Sequence, residues 1–396
     1  MFNFTKLKSQ KATIFLTFRT DCKDRENYLK ITRFFLRLVQ QQLSGFYPKI
    51  YLCFMAKTKK KNKSRIPLII TVVVLLAAAV ALFKVFGPNA YKERFLYVRT
   101  GTTYAQLLQQ LGDSNYISDA TSFNLLAGQW KLPDHIHPGK YLIKKGMSNY
   151  QLVKHLRYGR QTPVKLVINK LRTPREFARL LGRSLEADSM QVLDMLNDNS
   201  FLSEFGLDSS SALCGVIPDT YEFYWNTAGD KAFRKILKNH KHFWTESRIR
   251  AAKAHNLTPI QAQIVASVVE EETNLSSDKP LIASVYLNRL QKGMRLQADP
   301  TVKYAIGDFT IKRVTGKMLQ TESPYNTYRN AGLPPGPICT PMPSTVDAVL
   351  QAPATNYIYF CAKADLSGAS VFAATDADHL KNARAYQKAL NDRGIH

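Results

Sequence analysis

A chain of 396 residues, 45% of them hydrophobic, has room for two or three domains and a sizeable buried core, which excludes wholesale disorder. Its 55 Lys and Arg against 30 Asp and Glu suggest nucleic acid, but thirteen of the +25 net charges fall in residues 1–65, with no zinc-finger spacing or Gly-rich phosphate loop. Five cysteines, Cys22, Cys53, Cys214, Cys339 and Cys361, lie scattered without a C-x-x-C pair, which argues against a zinc site or a disulfide framework.

Residues 1–54 hold ten basic and three acidic residues, and residues 55–65 (MAKTKKKNKSR) hold six basic and no acidic ones. Met55 by itself opens an ordinary membrane-protein start, so residues 1–54 are expected to be an upstream translation artefact. The alternative is a basic cytosolic extension with Phe34, Phe35, Leu36 and Leu38 on a membrane surface. A native chain that starts at Met1 would sink the first idea. From Ile66 to Phe83 no residue is charged, so 66–86 is expected to cross a membrane as a helix. Lys57, Lys59, Lys60, Lys61, Lys63 and Arg65 precede it, against Lys84, Lys92 and Arg94 after it. This bias puts the N-terminus in the cytoplasm and the chain after about Gly87 outside. A cleaved signal peptide is the rival, but the run is longer than a usual signal core.

Residues 95–165 read as small alternating elements. Helical spacing covers Tyr104–Leu111 and Ser118–Trp130, Tyr141–Ile143 is a strand, and Ser148 caps a helix over Tyr150–Leu156. Val164–Ile168 alternates as a strand. Strand, two helices and strand at this size are similar to a LysM-like glycan-binding module, a pattern many small α+β domains share. Residues 166–255 read as a helical connecting region, in which Tyr221, Phe223, Tyr224 and Trp225 cluster. Aromatic faces stack on sugars, but core packing is the commoner use and is expected here. Residues 256–396 form a C-terminal domain of helices, a Pro-rich loop at 333–343, a hairpin of Asn356–Cys361 and Ser370–Ala374, and a closing helix over Asp378–Asn391. The expected fold class is α+β.

The chemistry concentrates in Thr258–Asn274, TPIQAQIVASVVEEETN. Thr258 before Pro259 is a strong helix start. At about 100° per residue, Ile260, Ile264, Val265, Val268 and Val269 form one apolar face. Glu272 falls near its centre, Glu271 at its edge and Glu270 opposite. A carboxyl on a buried face resists ionisation, as a general acid near neutral pH must. The competing reading leaves Glu272 solvated in the last turn. Stiff Pro- and Gly-rich loops follow that can hold backbone near a ligand.

Several motifs then occur in one order: Val268-Val269-Glu270-Glu271-Glu272-Thr273, Asn288-Arg289-Leu290, Gly293-Met294-Arg295-Leu296-Gln297 with Asp299-Pro300-Thr301-Val302, Tyr325-Asn326-Thr327-Tyr328, and Gly332-Leu333-Pro334-Pro335-Gly336-Pro337-Ile338. Together they resemble the endolytic murein transglycosylase (YceG-like) family, over nearly all of the chain after Met55. The resemblance implies that Glu272 protonates the oxygen between MurNAc and GlcNAc and then takes the proton of the MurNAc C6 hydroxyl, leaving a 1,6-anhydro end. One acid suffices because the nucleophile belongs to the substrate. Gln297, Asp299, Tyr325 and Asn326 are candidates for holding sugar hydroxyls or N-acetyl groups; Asp299 equally suits a helix cap and Asn326 a turn. His379 is expected to be structural. The resemblance implies no cofactor or metal. The partners it implies are peptidoglycan strands, the inner membrane and penicillin-binding proteins with other cell-wall synthases, and no nucleic acid. Two features depart from the family pattern: residues 1–54, and Glu271 where a basic residue is often found, which brings like-charge repulsion beside Glu272. The rivals are a non-catalytic peptidoglycan-binding scaffold, a lyase acting on a small metabolite, and a nucleic-acid binder.

Overall fold

Apolar character alone shapes the first element seen in the computed structural model, which describes residues 66–394. The extension 1–54, the start at Met55 and the basic segment 55–65 lie outside the described residues. Helix α1 (Ile66–Phe86) carries exposed Leu, Ile and Val side chains along its length and is long and apolar enough to cross a membrane.

Residues 94–157 begin with strand β1 (Arg94–Val98), which pairs antiparallel with β2 (Gly139–Ile143), Leu96 opposite Tyr141. Alternation turns Leu96, Val98, Tyr141 and Ile143 inward. Helices α2 (Tyr104–Asp113) and α3 (Ala120–Gln129) lie between the strands in sequence, and α4 (Asn149–Arg157) follows. Thr103 and Ser148 each close a capping box with the Gln three residues on. Apart from β1, for which the sequence reading gave no bounds, these elements fall where the sequence put them, within two residues.

The next region departs from expectation. Strand β3 (Val164–Ile168) forms as read, but its partner β4 (Asp219–Phe223) lies in the stretch read as helical. Tyr221 and Phe223 point inward while Thr220 and Glu222 face solvent, a period of two. Tyr221 and Phe223 are core; Tyr224 is exposed. Around this hairpin pack α5 (Pro174–Ser184), α6 (Ser189–Asn197), the short α7 (Asn199–Ser203) and α8 (Gly229–Phe243), and α9 (Glu246–Ala254) leads onward. Leu166, Ile168, Phe177, Leu181, Val192 and Phe233 belong to this first core.

A second core is built from α10 (Pro259–Glu272), α11 (Lys279–Gln291), α12 (Asp299–Ile306) and α13 (Pro343–Leu350). Helix α10 runs between the two cores: Ile264 belongs to the first, and Val265, Val268 and Val269 to the second. It is therefore buried on every side from Ala262 to Glu270, not along one face as the periodicity suggested. Its polar residues are tied: the Gln263 amide donates to the Cys214 carbonyl at 2.8 Å, and the Ser267 hydroxyl accepts from the Ile338 amide at 3.0 Å. Helix α12 bears out the reading of Asp299 at a helix start, although Ala298 takes the cap position and Asp299 the first turn; it ends at Gly307, whose φ of 79° closes the last turn. The hairpin β5 (Tyr359–Ala362) and β6 (Ser370–Ala373) and the closing helix α14 (Asp376–Asp392) are as read.

Candidate active site

Three consecutive glutamates end α10, and each meets a different environment. Glu270 is 9% exposed; it accepts from Lys279 Nζ at 3.0 Å and from the Thr345 hydroxyl. Glu271 accepts Arg172 in bidentate form, Nε at 3.1 Å and Nη2 at 3.0 Å, and pairs with Lys170 Nζ at 3.1 Å. The repulsion that Glu271 would exert on Glu272 is thus compensated by two cations.

Glu272 is partly open to solvent at its edge, but its carboxyl sits among a dense shell of protein atoms. Its partner is the buried Tyr286 hydroxyl, which donates to Glu272 Oε1. Burial pushes the carboxyl up to about 7, and the charge of Asp299 pushes the same way; the Tyr286 hydrogen bond, Lys303 and Arg289 pull it down. Burial also holds the Tyr286 phenol well above its usual range, so it stays a donor across the working pH.

The surroundings are assembled from α11, the 294–298 turn, α12 and the 325–328 loop. Arg289, one turn after Tyr286 on α11, is buried and donates to the Leu296 carbonyl at 2.7 Å, the Ile358 carbonyl at 2.7 Å and Gln297 Oε1 at 3.3 Å. It fixes the turn in which Gln297 takes a left-handed φ of 52°, a strained conformation for a non-glycine residue. The Ala298 amide donates to the Thr327 hydroxyl at 3.0 Å, which clips the 325–328 loop to the start of α12. Tyr328 thereby donates to Asp299 Oδ1 at 2.6 Å. Gln297 and Asp299 are exposed; the charge of Asp299 acts on Glu272, and Gln297 is held by Arg289, whose charge acts on Glu272 too. A half-buried acid with a raised pKa, near an exposed carboxylate that holds a half-buried phenol, can protonate an ether oxygen and take a proton back.

Residues 96–385 match the model of the YceG-like family. The chain belongs to that family. It is 28% identical over 311 residues to an endolytic murein transglycosylase of Bacillus subtilis, covering 75% of this chain and 85% of that protein. It is 26% identical over 326 residues to an endolytic murein transglycosylase of Streptococcus pneumoniae, covering 72% of this chain and 58% of the pneumococcal protein. A crystal structure of a YceG-like protein from Listeria monocytogenes aligns with 74% of this chain and 99% of its own at 26% identity, with a TM-score of 0.49.

In this YceG-like chain the residues singled out from sequence divide into two groups. Glu272 and Asp299 lie within electrostatic reach of each other, and Gln297 joins them through Arg289. Tyr325 instead packs on Tyr304, ring centres 4.7 Å apart, and its hydroxyl lies against Gly336. Asn326 is fully buried, its amide donating to the Thr321 carbonyl at 2.8 Å and the Leu319 carbonyl at 3.0 Å, while its oxygen accepts from the Tyr328 amide. Asn326 shapes the loop that presents Tyr328. His379 stacks on Tyr359 of the hairpin at 5.0 Å. Sequence reasoning missed Tyr286, Lys303 and the reach of Arg289 and Tyr328. Arg289 and Tyr328 stood inside quoted motifs; Tyr286 sits in an apolar helix where an aromatic residue signals only packing.

Proposed function

We propose that this protein is a membrane-anchored endolytic peptidoglycan transglycosylase, in which Glu272 acts in turn as acid and base. The observation that carries the reading is the state of Glu272: a carboxyl raised to about 7 by burial, held by a phenol and, among the described residues, by no cation in direct contact. Protonated, it gives its proton to the glycosidic oxygen between MurNAc and GlcNAc as the C1–O bond breaks. The MurNAc C6 oxygen then bonds to C1, and its proton passes to the Glu272 carboxylate, which restores the acid. The product is a 1,6-anhydro-MurNAc end, and no second carboxylate is needed. Tyr286 aims the carboxyl throughout. Gln297, Asp299 and Tyr328 hold sugar hydroxyls or N-acetyl groups, and Tyr325 and Asn326 support that wall.

The names of the Bacillus and pneumococcal relatives support the reaction class. The apolar helix α1 supports anchoring, and the basic excess before it supports a cytoplasmic N-terminus with the catalytic part outside. The βααβ arrangement of residues 94–143 supports a LysM-like hold on glycan. Placement at the membrane suits trimming of new strands beside penicillin-binding proteins and other synthases. Mass spectrometry of peptidoglycan digested by the protein, beside Glu272→Gln, tests the core of this. Anhydro ends that vanish with the variant support it. Reducing ends would make the protein a hydrolase and direct attention to Asp299. An uncut polymer would favour the scaffold reading.

A further inference from the structure

Beside the catalytic wall lies a cavity of about 160 Å³. Arg172, Glu271, Lys303, Tyr304 and Phe309 line it. Glu271 is already taken by Arg172 and Lys170, and the Arg172 guanidinium lies over the Phe309 ring at 4.9 Å. Lys303 is different. It sits on α12 one turn after Asp299, is half-buried, and among the described residues its ammonium makes no hydrogen bond or ion pair to protein. Counting the lining charges, two cations face one anion, so the cavity is left net positive. An ammonium drawn partly out of water beside aromatic walls favours an anion as its partner. Lys303 also acts electrostatically on Glu272, so a group bound there would lie close to the bond being cut.

We propose that this cavity is a subsite for a carboxylate carried by the glycan strand, with Lys303 as its main partner and Arg172 at its edge. The inference rests on the proposed transglycosylase function and adds a requirement to it: the substrate presents negative charge next to the scissile bond. Two sources share this chemistry. One is the lactyl carboxylate of MurNAc in strands stripped of peptide; the other is a carboxylate of the stem peptide.

Full-length protein is assayed on four substrates: peptide-bearing strands and amidase-stripped strands, each native or with its carboxylates converted to amides. Wild type, Lys303→Met and Lys303→Arg are compared, each at its own pH optimum, because loss of Lys303 also moves the titration of Glu272. The expected result is that wild type prefers charged over amidated strands by about tenfold in kcat/KM, the size of one charge-assisted hydrogen bond. Lys303→Met should lose that preference and Lys303→Arg keep most of it. A preference seen with stripped strands assigns the lactyl group, and one confined to peptide-bearing strands assigns the stem. Equal cutting of charged and amidated strands by wild type overturns the subsite and leaves the transglycosylase reading standing. So does a Lys303→Met variant that slows both kinds by one factor. Failure of wild type to cut any of the four overturns both.

Discussion

Around Glu270 the end of α10 is closed by a cation; around Glu272, two residues on, it is closed by a phenol. Both carboxylates are drawn into protein. Lys279 and Thr345 saturate the first with protein donors. Tyr286 orients the second without neutralising it, and burial, with a smaller addition from the charge of Asp299, keeps its proton affinity high. Burial alone does not make an acid catalytic: the charge of the partner decides whether the proton is held ready or the carboxylate is locked.

The strongest way to break this comparison is to remove each carboxylate in turn. Glu272→Gln should lower the rate of glycan cleavage by about 10²- to 10⁴-fold, the range of one general acid–base group. Glu270→Gln should leave the rate per folded molecule within a few-fold. Equal losses in a fragment-release assay would mean that the two sites do not differ as argued. Glu272 also carries a stability signature. Its ordinary value is 4.5 and its folded value about 7, so the folded state holds that proton more tightly than the unfolded chain. The stabilisation it brings is complete below pH 4.5 and is lost as pH rises through about 7. Glu272→Gln should therefore be the more stable protein at pH 8, by on the order of 1–2 kcal/mol after allowance for its partly open surface. Denaturant melts at pH 5 and pH 8 check this, and the gain should shrink at the lower pH.

Next in size is Lys279→Met. It leaves Glu270 buried without its cation and should cost about 3–5 kcal/mol of stability. Urea unfolding measures it. A variant as stable as the parent would show that the ion pair around Glu270 is dispensable, and the contrast with Glu272 would lose its structural half.

Tyr286→Phe should have a smaller effect, about tenfold in kcat, with little change in KM. Removing a donor to the carboxylate raises its proton affinity, so the alkaline limb of the pH–rate profile should move upward from about 7. Packing is spared, because the ring stays against Phe360, 6.0 Å between centres.

How far the sequence could be read follows from the same physics. The helices and the second strand before residue 160 were legible because each apolar stripe faces one side and each helix carries its own cap. Glu272 was legible because helical phase and motif chose the same residue. The phase argument was nonetheless incomplete: α10 is sandwiched, so Glu270, assigned to the opposite face, is the more buried of the two. Strand β4 was lost to the aromatic density of its sequence, although its period of two was present. Tyr286, Lys303 and the strained Gln297 depend on how α11, α12 and two loops meet, and no spacing along one segment encodes that meeting.

The smallest prediction is the sharpest test of sign. Asp299 raises the proton affinity of Glu272 through its charge and not through contact. Asp299→Asn keeps the shape and the acceptor for Tyr328 but removes the charge, so the alkaline limb should move downward, by a fraction of a unit. Because Asp299 is exposed, mobile ions reach it, and the shift should fade as ionic strength rises over a Debye length of about 10 Å at 0.1 M salt. The Tyr286→Phe shift comes from a buried bond and should not fade. Two variants on opposite sides of one carboxyl should thus displace its titration in opposite directions, with only one of them sensitive to salt. Shifts of the same sign, or with the same salt response, would mean that Glu272 is governed by something other than a buried donor set against an exposed charge.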